Sequence, residues 1–182
     1  LLSCFSTTAT SSKPRNTNIS LAMASFNGKA VLPGETFSIN DATGRRDAAK
    51  GYKQAGTIVN GNLVDVFGGG VCQVSSTLFN AVVRAGLTVT ERHNHSWPST
   101  YIDAGMDAAI DYGSLDLKFV NNSNGTIYLV SSFDWNRNKL TVEIYGMAIV
   151  PEGAKVTLKA TRTSTIPEPA STYNQDASLA AG

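Results

Sequence analysis

A cysteine placed directly after three glycines is the residue in this chain best suited to chemistry. Cys72 follows Gly68–Gly70 and precedes apolar residues at helical spacing. The pattern predicts a thiol in the first turn of a helix, where free N–H groups and the helix dipole stabilise a thiolate. The glycines leave the backbone accessible, so the N–H groups near Gly70 and Gln73 are expected to hold a developing oxyanion. An inert, buried thiol beside a tight turn is the alternative interpretation.

The two histidines of the chain follow this cysteine at the end of a predicted strand, Leu87–His93. An imidazole beside a thiol takes its proton and stabilises the thiolate. Both His93 and His95 are candidates for this base, and His95 leaves the strand in the turn before Trp97. A third polar group usually orients the imidazole. Asp116 is the first candidate for that group and Asp107 is the second.

Metal, nucleotide and nucleic-acid chemistry fit the sequence less well. His93, His95 and Cys72 would supply three zinc ligands, but neither a His-Glu-x-x-His motif nor paired cysteines accompany them. We therefore expect no metal and no other cofactor. The glycines are not followed by the Gly-Lys-Ser/Thr of a phosphate-binding loop. A net charge of +1, with no basic cluster beyond Arg45-Arg46, predicts no nucleic-acid partner.

The elements that must position these residues predict an α+β fold, in which the central cysteine-bearing helix packs on an antiparallel sheet or meander. A short helix is expected around Ile19–Phe26, ended by Asn27-Gly28. A hairpin over Thr57–Phe67, with Asn-Gly at its turn, leads into the glycines. Four later segments have strand-like patterns, namely Ala108–Tyr112, Leu115–Val120, Thr126–Phe133 and Lys139–Tyr145.

Composition divides the chain into three parts. Residues 1–16 are rich in serine and threonine and are expected to be a flexible linker that carries Cys4. Residues 17–150 form the predicted domain, and residues 151–182 a last strand with a Pro/Ser/Thr-rich tail. We expect two free thiols, although the sequence leaves a Cys4–Cys72 disulfide open. The chain contains no apolar run of the ~20 residues that would span a bilayer.

Three ordered motifs resemble the VanW family, which is named from vancomycin-resistance gene clusters. They are Gly68–Asn80, Glu91–Ser96 and Asp111–Phe119, within a similarity that extends from Leu2 to Gly146. The resemblance implies an extracellular protein of a Gram-positive bacterium, associated with the cell wall. It also implies that the chain is part of a longer protein, with membrane attachment only through an N-terminal anchor outside this sequence.

The resemblance also implies an activity, because some members of the family are described as L,D-transpeptidases with a cysteine nucleophile. That cysteine corresponds to Cys72, and the histidine of the family's Arg-x-x-His-Ser pattern corresponds to His95. The expected partners are peptidoglycan stem peptides, and the expected reaction is cross-linking through a thioester. Ser76 and Arg92 are expected to contact substrate, Arg92 through a carboxylate.

Two other functions stay open at this point. A cysteine amidase or endopeptidase would use the same thioester but release it with water instead of an amine. A non-catalytic module that binds the wall or assists antibiotic resistance would keep Cys72 as a structural thiol. The residues alone do not separate these functions.

Overall fold

Helices and antiparallel sheets combine in an α+β fold, as the sequence predicts. The computed structural model describes residues 1–59 and 62–167, and within them it has three α-helices, one 3-10 helix and nine strands. In chain order these are β1 (Ser3–Thr8), α1 (Lys13–Ala24), β2 (Lys29–Val31), β3 (Thr36–Ser38), α2 (Ile39–Thr43), the 3-10 helix (Ala48–Lys50), β4 (Gln54–Val59), β5 (Asn62–Phe67), α3 (Val71–Arg84), β6 (Thr88–Glu91), β7 (Lys118–Val120), β8 (Ile127–Asp134) and β9 (Lys139–Tyr145).

The strands form three antiparallel sheets. One has four strands in the order β1-β9-β8-β2, one has three in the order β3-β7-β6, and the β4-β5 hairpin is the third. The predicted meander is therefore reduced to β8 and β9, since β7 lies in a different sheet from both. The chain passes from one sheet to the other between β7 and β8. The buried Asn121 stabilises this connection, because its amide donates to Val31 O and Gly125 O, both at 2.9 Å.

Helix α3 packs against strands β1 and β9 and against helix α1. Its apolar stripe is fully buried at Val74, Leu78 and Val82, which explains the helical spacing of these residues in the sequence. Polar groups fasten the same helix to β1: Ser3 Oγ donates to Ala81 O at 2.7 Å, and the hydroxyls of Thr7 and Thr77 are 2.8 Å apart. The N-terminal strand is thus part of the support for α3.

Residues 1–16 are consequently not a linker. Ser3–Thr8 pairs along its whole length with β9, and Lys13 begins α1, with Pro14 in the first turn. The serines and threonines that indicate a linker instead donate hydrogen bonds to α3, or pair across the sheet as Ser6 does with Thr141 at 3.0 Å. Composition alone does not distinguish these two uses of hydroxyl side chains.

Two other predicted strands are absent from the described structure. Ala108–Tyr112 makes only isolated bridges, one of them between His93 and Ala109. Residues 155–160 pair with no described strand, although Val156 and Leu158 are half-buried. Both thiols are free, with Cys4 exposed on β1 and Cys72 half-buried. The Asn60-Gly61 turn and the tail from residue 168 lie outside the described residues.

Among the described helices, none has the length and apolar character needed to cross a membrane.

Candidate functional site

The glycine turn before α3 fixes where the thiol lies. Gly68 and Gly70 have positive φ angles of 84° and 105°, a backbone conformation that suits glycine. A Cβ added at Gly69 would lie 2.2 Å from the carbonyl oxygen of Ala55 on β4. The β4-β5 hairpin therefore packs closely against the glycine turn. Cys72 follows this turn as the second residue of α3.

Hydrogen bonds from two serines join the segment that follows Met106 to the first turns of α3. Ser75 Oγ donates to Ala108 O at 2.5 Å, and the N–H of Ala108 donates to Ser76 Oγ at 2.9 Å. The Cys72 thiol donates to Ile110 O in the same segment, at 3.4 Å. These contacts bring Asp107 and the residues after it to the cysteine.

His95 lies between the thiol and a carboxylate. Its Nδ1 is 2.5 Å from Asp107 Oδ2, and its backbone N–H donates to the same oxygen at 2.6 Å. The hydrogen bond with Cys72 is the main cause that raises the pKa of His95; burial opposes the rise, and the bond with Asp107 adds to it. With Nδ1 bound to the carboxylate, Nε2 is the ring nitrogen available to the thiol, which in this structure donates its hydrogen bond to Ile110 O. Cys72, His95 and Asp107 form the triad of this site.

Asp107 is held in its charged form by its neighbours. Burial alone would raise its pKa, but hydrogen bonds from His95 and the charges of His95 and Arg92 lower it below its usual range. Arg92 Nη2 contacts Asp107 Oδ1 at 2.9 Å, and Arg92 Nε donates to the Asp107 carbonyl at 2.7 Å. The same guanidinium stacks over the Phe79 ring at 5.4 Å. Arg92 therefore positions the carboxylate and is not placed to receive a substrate.

Asp116, the first candidate for the group that orients the histidine, serves a different purpose. Its carboxylate accepts hydrogen bonds from Ser38 Oγ at 2.6 Å and from the N–H of Asn40 at 3.1 Å. It also accepts from the N–H of Leu117 at 2.8 Å. Asp116 thus joins β3 and the start of α2 to the residues just before β7. The second candidate, Asp107, lies beside His95 instead.

His93 also lies outside the triad. Its Nε2 is 3.1 Å from Glu91 Oε1, and its side chain is 39% exposed. Glu91 receives a second contact from Lys118 Nζ at 2.8 Å. The hydrogen bond from Lys118, followed by that from His93, lowers the pKa of Glu91 to about 2. His93 belongs to this surface cluster of charges.

Gln73 and Ser76, both predicted to contact substrate, are buried inside the protein. The amide of Gln73 donates to Thr7 Oγ1 at 3.1 Å, and its backbone N–H donates to Gly70 O at 3.0 Å. Ser76 Oγ donates to Cys72 O at 2.8 Å. Both residues hold the first turns of α3 in place and have no surface for a ligand.

Gly70 lies immediately before α3, where the sequence predicts a donor to an oxyanion. Within the part of the chain that the structure describes, the backbone N–H groups of Gly70 and Cys72 have no acceptor. They lie on either side of the residue that begins α3. These two donors are available to an oxygen anion formed beside the thiol.

Three further residues lie near the thiol and are not predicted from the sequence, namely Arg15, Arg46 and Tyr101. The charge of a Cys72 thiolate acts on the pKa of each of the three groups, which places them within electrostatic reach of the sulfur. Burial is the main cause that raises the pKa of Tyr101, and interactions of its hydroxyl with Ser99 and Ser76 oppose the rise. No motif singles these residues out, because they are separated from Cys72 in sequence.

No group of three or more His, Cys, Asp or Glu side chains that could hold a metal ion occurs among residues 1–59 and 62–167.

Comparison with known proteins gives a family and two relatives. Residues 14–145 match the family described as VanW like protein. The uncharacterized protein YoaR of Bacillus subtilis is 46% identical over 119 residues, which cover 65% of this chain and 39% of YoaR. The vancomycin B-type resistance protein VanW of Enterococcus faecalis is 35% identical over 122 residues, covering 64% of this chain and 44% of that protein.

The chain spans about two fifths of the length of these two relatives. No solved structure matches it significantly. The family match covers well over half of the sequence, including the glycine turn, α3 and all three members of the triad. The chain therefore belongs to the VanW family.

Proposed function

We propose that this protein is a cysteine acyltransferase of the bacterial cell wall that forms peptidoglycan cross-links as an L,D-transpeptidase. The observation that carries the proposal is the triad: His95 Nδ1 is 2.5 Å from the Asp107 carboxylate, and interaction with Cys72 is the main cause that raises the pKa of the same imidazole. A nucleophile, a base and an orienting carboxylate in this order are what thioester chemistry requires. The name of the Enterococcus faecalis relative links that protein to vancomycin resistance and supports a role at the wall.

The first half of the proposed reaction makes a thioester. The Cys72 thiolate attacks the carbonyl carbon of the third residue of a donor tetrapeptide stem, and the N–H groups of Gly70 and Cys72 hold the oxygen anion. The C–N bond to the terminal D-alanine then breaks. The His95 imidazolium gives its proton to the departing amine, so D-alanine leaves as a neutral amine and the acyl group stays on sulfur.

The second half transfers the acyl group to an amine of a neighbouring stem. The amine attacks the thioester carbonyl and loses a proton to His95, and the C–S bond breaks to regenerate the thiolate. The side chain of His95 is 23% exposed, and Cys72 is half-buried, so both residues are partly open to solvent. Asp107 stays ionised throughout and holds the imidazole in one orientation.

The proposal places the protein outside the cell, at the wall of a Gram-positive bacterium, with peptidoglycan stem peptides as its partners. Analysis of muropeptides after incubation of isolated wall with the protein tests it. We expect new cross-links that involve the third residue of the donor stem, and none with Cys72→Ala. Shortened stems without cross-links would assign the protein as a hydrolase. An unchanged wall would assign it as a binding or accessory module.

A further inference from the structure

Two half-buried arginines flank the glycine turn that precedes Cys72. Arg15 comes from the first turn of α1, and its Cγ lies 2.7 Å from the position of a Cβ added at Gly70. Arg46 comes from the segment after α2, and its Cβ lies 2.7 Å from a Cβ added at Gly68. The turn is thus built of glycine partly because the stems of two arginines occupy the space around it.

Neither guanidinium forms an ion pair within the described part of the chain. The ion pairs found there include Arg92 and Arg137 but not Arg15 or Arg46. Burial is the main cause that lowers the pKa of both groups, and a charge at Cys72 acts on both; the charges of Asp116 and Asp111 act on Arg46 as well, without forming an ion pair with it. A half-buried cation without an ion-pair partner costs stability, and a bound anion would offset that cost.

The hydrogen bonds of the two guanidiniums are also incomplete. Arg15 Nη1 and Nη2 reach Gly56 O and Gln73 Oε1 only at 3.4 and 3.3 Å, and its Nε has no partner. Arg46 Nη2 donates to Asn40 Oδ1 at 2.6 Å, and its Nε is likewise without a partner. A carboxylate that contacts the terminal nitrogens of a guanidinium at two points would supply the charged acceptor that each arginine lacks.

We propose that Arg15 and Arg46 form a carboxylate-binding subsite beside Cys72 and select acyl donors with a carboxylate close to the bond that is broken. The inference rests on the proposed function and specifies its substrate. A tetrapeptide stem fits it, since the carboxylate of its terminal D-alanine is one residue beyond the attacked carbonyl. Arg92, which the sequence predicts to bind substrate, is instead bound to Asp107. Arg15 and Arg46 are therefore the arginines assigned to the substrate carboxylate.

Alkylation of the thiol with a charged and a neutral reagent tests the subsite without any peptide substrate. Iodoacetate and iodoacetamide both react by forming a bond between sulfur and the CH₂ carbon while iodide leaves. They differ in whether a carboxylate is present. The rate of modification of Cys72 is read by mass spectrometry of its peptide, and N-acetylcysteine serves as the reference thiol. Cys4 is less suitable, because its own neighbour Glu143 repels an anion.

In the wild type, we expect the iodoacetate-to-iodoacetamide rate ratio at Cys72 to exceed the reference ratio at least about tenfold, since hydrogen bonds between ions contribute free energy of that size. Arg15→Met and Arg46→Met retain an unbranched apolar stem against the glycine turn and should each reduce the ratio severalfold. The control is Arg45→Met, since Arg45 is exposed beside Arg46 and should leave the ratio unchanged. Arg15→Lys and Arg46→Lys keep the charge and should retain part of the preference.

The outcomes separate the two proposals. A reactive Cys72 with a ratio equal to the reference, or with a ratio unchanged in folded Arg15→Met and Arg46→Met, overturns the carboxylate subsite but not the acyltransferase. A Cys72 that reacts with neither reagent in the folded protein contradicts the acyltransferase, and the subsite with it. The thermal unfolding midpoint of each variant shows that it is folded.

Discussion

At the scale of single residues, the arrangement of the triad depends on one histidine with two partners. His95 contacts the carboxylate of Asp107 through Nδ1, and interaction with Cys72 is the main cause that raises its pKa. The sequence predicts Cys72 and His95, because the glycine turn and the strand end are local signals. It does not predict Asp107 over Asp116, because that choice depends on the contacts of Ser75 and Ser76 with Ala108, which join segments far apart in the chain.

Replacing the two histidines in turn tests which one is the base. His95→Ala should reduce the rate of cross-link formation by about 10²–10⁴-fold, the usual contribution of a general base. It should also slow the alkylation of Cys72 by iodoacetamide, since the imidazolium that stabilises the thiolate is lost. His93→Ala is the matched control, with near wild-type rates expected from both assays. An inactive His93→Ala beside an active His95→Ala would reverse the assignment.

The two aspartates differ in the property that each should change. Asp107→Asn should lower the cross-linking rate by orders of magnitude, because the imidazole loses its orienting carboxylate. Asp116→Asn should instead lower the free energy of unfolding by about 1–3 kcal/mol, because buried hydrogen bonds from Ser38 and Asn40 are weakened. Cross-linking rates and denaturant unfolding of both variants measure this. Equal loss of rate in the two variants would contradict the role given to Asp107.

The triad also predicts how stability depends on pH. The pKa of His95 is raised on folding, so its contribution is present below the ordinary value of ~6.5 and is lost as pH rises through the folded value. The pKa of Asp107 is lowered, so its contribution is lost as pH falls below its ordinary ~3.8. The difference in unfolding free energy between wild type and His95→Gln should therefore be largest between these limits and shrink at alkaline pH. A difference that is constant from pH 5 to pH 9 would argue against the ion pair.

At the scale of secondary-structure elements, the glycine turn is the feature that positions the thiol. Its middle residue is constrained by the hairpin, since a Cβ there would collide with the carbonyl oxygen of Ala55. The sequence predicts the turn, the hairpin strands and α3 from local patterns. It does not predict the two arginine stems that fill the space beside the turn, because α1 and the segment after α2 approach it only in the folded protein.

Gly69→Ala should be costly, because a backbone atom of β4 is in the way and cannot move without the hairpin. We expect a loss of about 1–3 kcal/mol in unfolding free energy, the usual cost of a forced overlap, together with a slower reaction of Cys72. Gly28→Ala is the control: it has a positive φ but open space around its Cβ, so it should show only the ~1 kcal/mol strain of that conformation. A Gly69→Ala variant as stable as wild type would mean that the turn tolerates displacement.

At the scale of the whole molecule, the N-terminal strand belongs to the unit that supports the triad. β1 completes the four-stranded sheet by pairing with β9 and also contacts α3 through Ser3 and Thr7. The composition of these residues predicts a linker. Serine and threonine also occur in exposed strands, so composition does not distinguish the two structures. Their partners on α3 and β9 lie about 70 to 140 residues away in sequence.

Removal of residues 1–9 should therefore destabilise the whole domain. The truncation uncovers the edge of β9 and one side of α3, and we expect a lower unfolding midpoint together with a loss of Cys72 reactivity. The double variant Ser3→Ala, Thr7→Val keeps the strand but removes its hydroxyls, and it should fall between the truncated and intact proteins. A truncated protein as stable and reactive as the intact chain would restore the linker interpretation.

The most direct test of the central claim is the mass of the protein during reaction with a tetrapeptide stem. The triad predicts a covalent adduct on Cys72 whose mass equals that of the donor peptide minus D-alanine, and which an added amine or hydroxylamine removes. Cys72→Ser is expected to give no such thioester, and His95→Ala to form it far more slowly. A well-folded wild-type protein that forms cross-links without this adduct, or retains activity as Cys72→Ala, would contradict the proposed mechanism.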